Sequence, residues 1–511
     1  MSERPLDHDG RILEAVIIGA GIAGIGMAMR LKSAGVESFL VLEGKGELGG
    51  TWRDNVYPGV ACDVPAPLYS YESMPDGPWS RLFASGGEVL AYLRACAERS
   101  GVIPHLRLST EAFRMGWSEQ DGAWRIEHTS GVLFAQNLIL ACGRLTEPDI
   151  PAVPGIETFP GPVLHSARWQ GTDFADSRVA LVGTGASGVQ LLPRLVEAAG
   201  SVVVFQRTPA YVLPRNDRPL TETERRALRD GGAAVQRLRA GFFEQAESVH
   251  PQRLGVGDVQ QRDALRHLSE SIPSVALRER LTPGYPLGCK RVTFSDEYYP
   301  CFLDPAVTLE PSALAEVRGR TLRSVEGRDH EVDALVLATG FETTDQPFAE
   351  RVLGRGGRGL AAHWRDRMRS YASTAVHGFP NMFVLNGPNA GLSHNSAVFM
   401  IESQIAFVMQ ALAHQRRNGL QSIEVRECAE QAYLREIDER AAQGVWLAEF
   451  CNSWYLHKRT GALNLLWPGT AAAFRREYGE FRADAFSETA ITPALTGGRR
   501  CGPPSALCIV G

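Results

Sequence analysis

The sequence predicts an α/β fold: two Rossmann-like dinucleotide-binding domains with an inserted helical subdomain. Three observations predict it. Gly19-Ala-Gly21-Ile-Ala-Gly24 follows the apolar run Val16-Ile-Ile. Gly183-Thr184-Gly185-Ala-Ser187-Gly188 follows Val179-Ala-Leu-Val in the same way. Residues 221–281 turn polar and helical in pattern. In G-x-G-x-x-G the first glycine makes a tight turn, the second admits a pyrophosphate to the backbone, and the third lets helix pack on strand. The helix that opens there offers unpaired N–H groups to the phosphates. One such motif is weak evidence. Two, each between a strand and a helix, imply two dinucleotides in one chain.

Length and composition narrow the classes. A chain of 511 residues suffices for two or three domains with large cores. A net charge of -5 gives no reason to expect nucleic acid or an anionic membrane as partner. The nine cysteines are scattered and form no C-x-x-C. That spacing argues against a zinc ribbon, a disulfide scaffold and a dithiol redox centre. A cytoplasmic location fits, and no metal ligand set is read. The apolar run 15–29 is too short for a span of roughly 20 residues. Acidic Asp7, Asp9 and Glu14 precede it where a signal peptide would be basic. The last four residues, Cys508-Ile-Val-Gly511, have only a loose lipidation outline.

In chain order, residues 1–10 are polar and read as frayed. Residues 14–18 form the first strand, 22–34 the first helix and 39–42 the second strand. Glu43 follows, where an acid accepts hydrogen bonds from a ribose diol. The stretch from Gly49 to Tyr69 is rich in glycine, proline and aromatics and has no regular period. Long irregular segments inside a compact domain are usually functional. Within it Asp63 sits among apolar neighbours, which is costly without a partner. Residues 86–100 read as a helix, 106–127 as a small antiparallel piece, and 137–142 as a buried strand. Residues 159–170 read as a linker stiffened by Pro160 and Pro162 and turned by Gly161. His165 and Trp169 are four apart and would share a face on a helical turn.

After the strand 201–205, Arg207 stands as far beyond Gly183 as Glu43 stands beyond Gly19. A guanidinium there suits a 2′-phosphate, which favours NADP(H) over NAD(H). A register one residue shorter puts Gln206 at the strand end instead, and either register keeps an acid away. Lys290-Arg291 is a basic pair in a chain with only four lysines. Residues 333–337 form another buried strand, and its exit Ala338-Thr339-Gly340 echoes Leu140-Ala-Cys-Gly143. Then come a strand at 381–385, a turn at Gly387-Pro-Asn389, a helix at 397–414 and a helical region at 422–443. Residues 452–455 and 465–469 read as ordered loops. From 490 the composition reads as disordered.

These residues, taken together, resemble a family. Phe159-x-Gly161-x-x-x-His165-x-x-x-Trp169 is similar to the fingerprint of the type I Baeyer–Villiger monooxygenases, class B flavoprotein monooxygenases. Gly49-Gly-x-Trp52 through Tyr57-Pro-Gly59-x-x-x-Asp63 resembles their second signature. Both glycine motifs, Lys290-Arg291 and Ala338-Thr-Gly340 stand in the family order, over about residues 12–480. Gln170 departs from the usual Pro or Asp. Residues 387–395 depart too and leave the substrate pocket open.

The resemblance implies FAD in the first site and NADPH in the second. FAD contacts fall on Gly19, Gly21, Gly24, Glu43, Thr51, Trp52, Asp63, Tyr69 and the backbone of Ala112. NADP contacts fall on Gly183, Thr184, Gly185, Ser187, Gly188, Arg207, Thr208 and Lys290, with Trp454 near the nicotinamide. His165 and Trp169 are implied to couple domain movement to catalysis. The implied domains are FAD-binding at 1–150 and 341–489, NADP-binding at 151–220 and 285–340, a helical insertion at 221–284, and a tail at 490–511. The implied reaction inserts one atom of O2 beside a ketone carbonyl, giving an ester or lactone through a C4a-peroxyflavin. Arg291 would face the negative oxygen, and Asp63 would hold Arg291. Alternatives are oxygenation of nitrogen or sulfur by the same cofactor and, remotely, non-catalytic nucleotide binding. Oligomeric state is unreadable.

Overall fold

The computed structural model describes residues 12–490 except 256–257 and 450. The segment read as frayed, 1–10, lies outside the described residues, as does the stretch read as a disordered tail from 490, save Ala490 itself, which ends a strand. The first sheet is built on β1 (Leu13–Ile18), β2 (Phe39–Leu42), β3 (Leu106–Arg107), β4 (Ala112–Ser118), β5 (Ala123–His128) and β6 (Gly131–Leu140). Strands β1 and β2 pair in parallel, Ile18 opposite Leu42. Both are almost wholly apolar and buried, as a parallel strand covered on both faces must be.

Strand β6 serves two partners. Its first half pairs antiparallel with β5, and its second half pairs parallel with β1 on one side and Met382–Val384 on the other. The buried strand read at 137–142 is therefore the end of a longer one, and the antiparallel piece runs from β4 into β6. Helix α1 (Ile22–Ser33) packs on this sheet and against the long helix Ala397–Asn418. Among the described residues, that long helix alone has the length and apolarity to cross a membrane. Here Val398, Met400, Ile401 and Phe407 are buried in the core instead.

The second sheet repeats the plan. Strands β7 (Val163–His165), β8 (Arg178–Val182) and β9 (Ser201–Phe205) lie with Val307–Glu310 and Ala334–Leu337 in one five-stranded parallel sheet. The segment read as a linker thus supplies its edge strand, β7, with His165 opposite Leu337. Gly161 explains the fit: a Cβ there would lie 2.1 Å from the Asp333 carbonyl oxygen. His165 and Trp169 do not share a helical turn. The His165 Nδ1 accepts the Ala167 N–H at 3.1 Å, capping a short 3-10 turn, and Trp169 follows it against Phe174.

The polar stretch 221–281 is helical, with Glu222–Asp230, Gly232–Glu247, Val259–Ser271 and Val275–Leu281 as its longer elements. It is pinned to the first nucleotide unit at two points. Buried Arg239 donates to the Ser70 hydroxyl at 2.7 Å and to the Ser70 carbonyl at 3.1 Å. Glu247 accepts from Asn395 at 2.7 Å, lies 3.2 Å from the His394 Nε2, and receives the N–H groups of Ala471 and Ala472, each at 3.1 Å. The region read as helical at 422–443 divides in two. Leu420–Val425 is a strand paired with Phe486–Ala490, and only then does the helix Glu427–Ala441 begin. Gly419, at φ 58°, ends the long helix and starts that strand.

Candidate functional site

The two glycine cradles are built alike. Gly19 and Gly183 hold φ of 104° and 108°, a left-handed conformation that favours glycine. A Cβ on Gly19 would meet the Ala141 carbonyl oxygen at 2.6 Å, and one on Gly183 the Ala338 carbonyl oxygen at 2.4 Å. So each turn is pressed against the matching strand exit. On Gly24 and Gly188 a Cβ would collide with the carbonyl oxygens of Gly19 and Gly183. The middle glycines are different. Gly185 faces open space, and the nearest atom to a Cβ on Gly21 is the Gly50 Cα at 3.6 Å. Neither helix receives a side-chain cap at Gly21 or Gly185. Open backbone above an uncapped helix N-terminus fits a pyrophosphate, and both cradles have it.

Beyond the second strand of each unit the copies diverge. Glu43 is buried and turns back to the first cradle, accepting the Ala20 N–H at 2.9 Å and the Lys45 N–H at 3.0 Å. Arg53 stands 3.0 Å from the same carboxylate. Thr51 begins the short helix after Gly50, beside Gly21. Ala112 opens β4, and its carbonyl accepts from Arg351 at 3.1 Å.

In the second unit the counting match between Arg207 and Glu43 is off by one. Gly19 donates to the Leu42 carbonyl and Gly183 to the Phe205 carbonyl, so the residue equivalent to Glu43 is Gln206. Gln206 is buried, and its amide donates to the Arg280 carbonyl at 2.8 Å. Arg207 is the next residue and is exposed. Thr208 is tied to the cradle, its carbonyl accepting the Thr184 hydroxyl at 2.8 Å. Lys290 lies close enough that burial first, then the charge of Arg207, lowers its proton affinity. Its Nζ stands 4.9 Å from the centre of the Tyr285 ring.

Between the cradles lies the pair singled out above. Arg291 Nε donates to Asp63 Oδ2 at 2.9 Å, and Nη2 reaches Oδ1 at 2.6 Å. The carboxylate outweighs burial and raises the arginine's proton affinity further. Tyr69 and Trp52 stand beside this pair, Trp52 Nε1 donating to the Tyr69 hydroxyl at 3.3 Å. Burial pushes the Tyr69 phenol up.

The loop that carries Asp63 leaves the first unit and docks on the second. The Tyr57 hydroxyl donates to Gln190 Oε1 at 2.8 Å beside Ser187, and the Gln190 amide donates to the Ala61 carbonyl at 3.0 Å. Gly59 allows the approach, since a Cβ there would lie 2.8 Å from the Gln190 carbonyl oxygen. At the seam a carboxylate from one unit thus grips a guanidinium from the other.

Trp454 is exposed, its ring tilted 42° against that of Tyr455 at 4.6 Å between centroids, and its carbonyl accepts the Thr343 hydroxyl. The cysteine reading needs correction here. Cys289, next to Lys290, is disulfide-bonded to Cys451, their Cα atoms 5.5 Å apart. The two are 162 residues apart in sequence, so only the fold reveals the pairing. Two further residues were missed. Gln190 holds the docked loop, and Arg144, just past the exit Leu140-Ala-Cys-Gly143, points to the Leu465 carbonyl at 3.2 Å. For Arg144 the signal was its place directly after a cradle exit.

Comparison with known proteins agrees with this construction. Residues 16–226 match the family model described as pyridine nucleotide-disulphide oxidoreductase. A Baeyer–Villiger monooxygenase of Streptomyces coelicolor is 41% identical, the match covering 93% of this chain and 92% of that protein. An oxidised steroid monooxygenase bound to NADP superposes with a TM-score of 0.82 at 26% identity, covering 94% of this chain and 100% of that one. A complex of OTEMO with FAD and NADP gives a TM-score of 0.82 at 25% identity, covering 93% and 99%. With two matching cradles, a shared seam and this likeness along nearly its whole length, the chain belongs to the Baeyer–Villiger monooxygenases.

Proposed function

We propose that the protein is an FAD- and NADPH-dependent monooxygenase that inserts one atom of O2 beside a ketone carbonyl, yielding an ester or lactone. NADPH, O2, a proton and the ketone become NADP+, water and the ester. The observation that carries the reading is the Arg291–Asp63 pair, held where the two nucleotide units meet. The first cradle, with Glu43, Thr51 and the Gly21–Gly50 contact, would hold FAD. The second, with Arg207, Thr208 and Lys290, would hold NADPH. FAD, when bound, supplies hydride acceptance and oxygen activation.

The chain's own residues orient and stabilise. Arg291 cannot lose its proton, so it keeps a fixed positive charge and paired donors toward oxygen that turns negative during transfer. Asp63 fixes the plane of the guanidinium through Nε and Nη2, which leaves Nη1 without a hydrogen bond among the described residues. Lys290 and Arg207, two cations near enough to repel each other, suit a doubly charged phosphate.

The test is product analysis. Protein loaded with FAD and given NADPH, isotopically labelled O2 and a panel of ketones should form ester or lactone carrying one labelled atom. A parallel sulfide panel that alone gives product would assign heteroatom oxygenation instead. A protein that takes up no FAD would exclude both.

A further inference from the structure

A second guanidinium lies near enough to Arg291 to feel its charge, in a different environment. Arg144 lies just past the end of β6, at the rim of the first cradle. Its side chain crosses Gly391 so closely that a Cβ there would lie 2.7 Å from both Nη1 and Nη2. Its Nη1 donates to the Leu465 carbonyl at 3.2 Å. Phe348, Trp364 and Met368 line the same cavity and give it no charge. Among the described residues no carboxylate forms an ion pair with it, whereas Arg291 has Asp63 on two bonds. Burial lowers its proton affinity to about 10; Tyr455 opposes this, and the repulsion of Arg291 adds to it. An arginine stays charged even there, so the cavity carries an uncompensated cation.

Such a charge is costly unless something pairs with it. The phosphate-binding groups are already accounted for elsewhere: the glycine turns in both cradles, and Arg207 with Lys290 in the second. The substrate is the ligand of the proposed reaction for which no binding side chain has yet been named. We infer that Arg144 is a specificity-determining residue that binds a carboxylate on the substrate, so that the preferred substrates are keto acids. The inference rests on the ketone-oxygenating reading above. A planar guanidinium matches a carboxylate on two parallel bonds. Gly391 is then the residue that leaves room for the arginine's pose.

The probes are oxo acids of increasing length, 4-oxopentanoate upward, each beside its methyl ester. Wild-type holoenzyme should prefer the acid over the ester at one chain length in kcat/KM. In Arg144→Leu that acid-to-ester ratio should fall by about 10- to 100-fold, the scale of one charge-assisted contact. Arg144→Lys should restore part of the ratio, since the charge returns without the fork. Binding is read separately, without turnover, from the flavin absorbance change when wild-type holoenzyme is titrated with hexanoate. Saturable binding that hexanoic acid methyl ester does not match supports the assignment even where Arg144→Leu fails to fold.

Three results overturn it. In the first, neutral ketones are oxidised but acids and esters behave alike in wild type. In the second, Arg144→Leu lowers acid and ester equally. In the third, the variant shifts the flavin reduction potential while the ratio holds, which makes the flavin itself the partner. A wild type that oxidises no ketone at all removes the underlying reading as well, and is thereby told apart from the other three.

Discussion

Arg291 illustrates how one side chain depends on two halves of the molecule. Its partner Asp63 comes from a loop of the first unit, while Arg291 itself lies in the second. Replacing it by alanine should leave folding, FAD uptake and reduction by NADPH in place. Product formation should drop by at least about two decades, the scale for one lost oxyanion donor. Separate stopped-flow reduction and product assays check this, and near-normal ester formation would falsify the role. Arg291→Lys should recover only part of the rate, because a point charge lacks the fork. The exposed Arg207 carries the second prediction. Arg207→Ala should raise KM for NADPH by roughly one to two decades, from the loss of about 1.5–3 kcal/mol, with a smaller change for NADH. Equal change for both coenzymes would show that Arg207 does not meet the 2′-phosphate. At this scale the residue types were legible and their register was not. Counting from the glycine motif paired Arg207 with Glu43, because a one-residue difference between the strand pairs is invisible until Phe205 and Leu42 are aligned by their bonds.

Elements were readable where the pattern was local. The strands after each glycine turn and the helix Gly86–Arg99, with its Ser85–Glu88 capping box, follow from apolar runs and caps. Elements defined by distant partners were not. Strand β7 is three residues long and exists because Ala334–Leu337 offers it an edge. Leu420–Val425 is held by a strand more than sixty residues downstream, which no local window sees. The helix Gly232–Glu247 poses a testable question of attachment. Its last residue, Glu247, accepts from Asn395 and from two N–H groups at the start of the helix Ala471–Tyr478. Burial pushes this carboxyl up, but those bonds and His394 outweigh it and hold it at about 2, below its ordinary 4.5. The folded state therefore binds this proton more weakly than the unfolded one. The stability this contributes is complete above pH 4.5 and is lost as pH falls from there toward 2. Glu247→Ala should destabilise by about 1.5–3 kcal/mol at neutral pH. Thermal melts against pH should show the difference between variant and wild type shrinking below pH 4.5. A constant difference down to pH 3 would mean that the charge is not what holds the helices.

Across the whole molecule, the doubling of the fold was plain from two glycine motifs, while what joins the halves was hidden. The disulfide is one such join. It ties the loop before Lys290 and Arg291 to the segment before Trp454, within a small buried cluster that includes Tyr211, Leu213 and Val292. A cross-link closing so long a loop is worth on the order of 2–5 kcal/mol in the chain-entropy account. Dithiothreitol should lower the thermal midpoint of wild type and leave Cys451→Ser unmoved; a wild-type midpoint indifferent to reductant would show that the bond adds no stability. The docked loop is the other join, and its effect is felt as yield per reducing equivalent. In the proposed reaction electrons enter from the NADPH side, and Arg291 would be needed only afterwards, when oxygen is passed to the ketone. Loosening the Tyr57–Gln190 contact leaves the entry of electrons intact and blurs the position of the acceptor's guardian. Gln190→Ala should therefore keep consuming NADPH at a rate close to normal while releasing hydrogen peroxide in place of ester, so that the ratio of product to NADPH falls. Tyr57 and Gln190, which touch the pair only through the loop that carries Asp63, would then decide how much of each turn ends in useful oxygen and how much in waste.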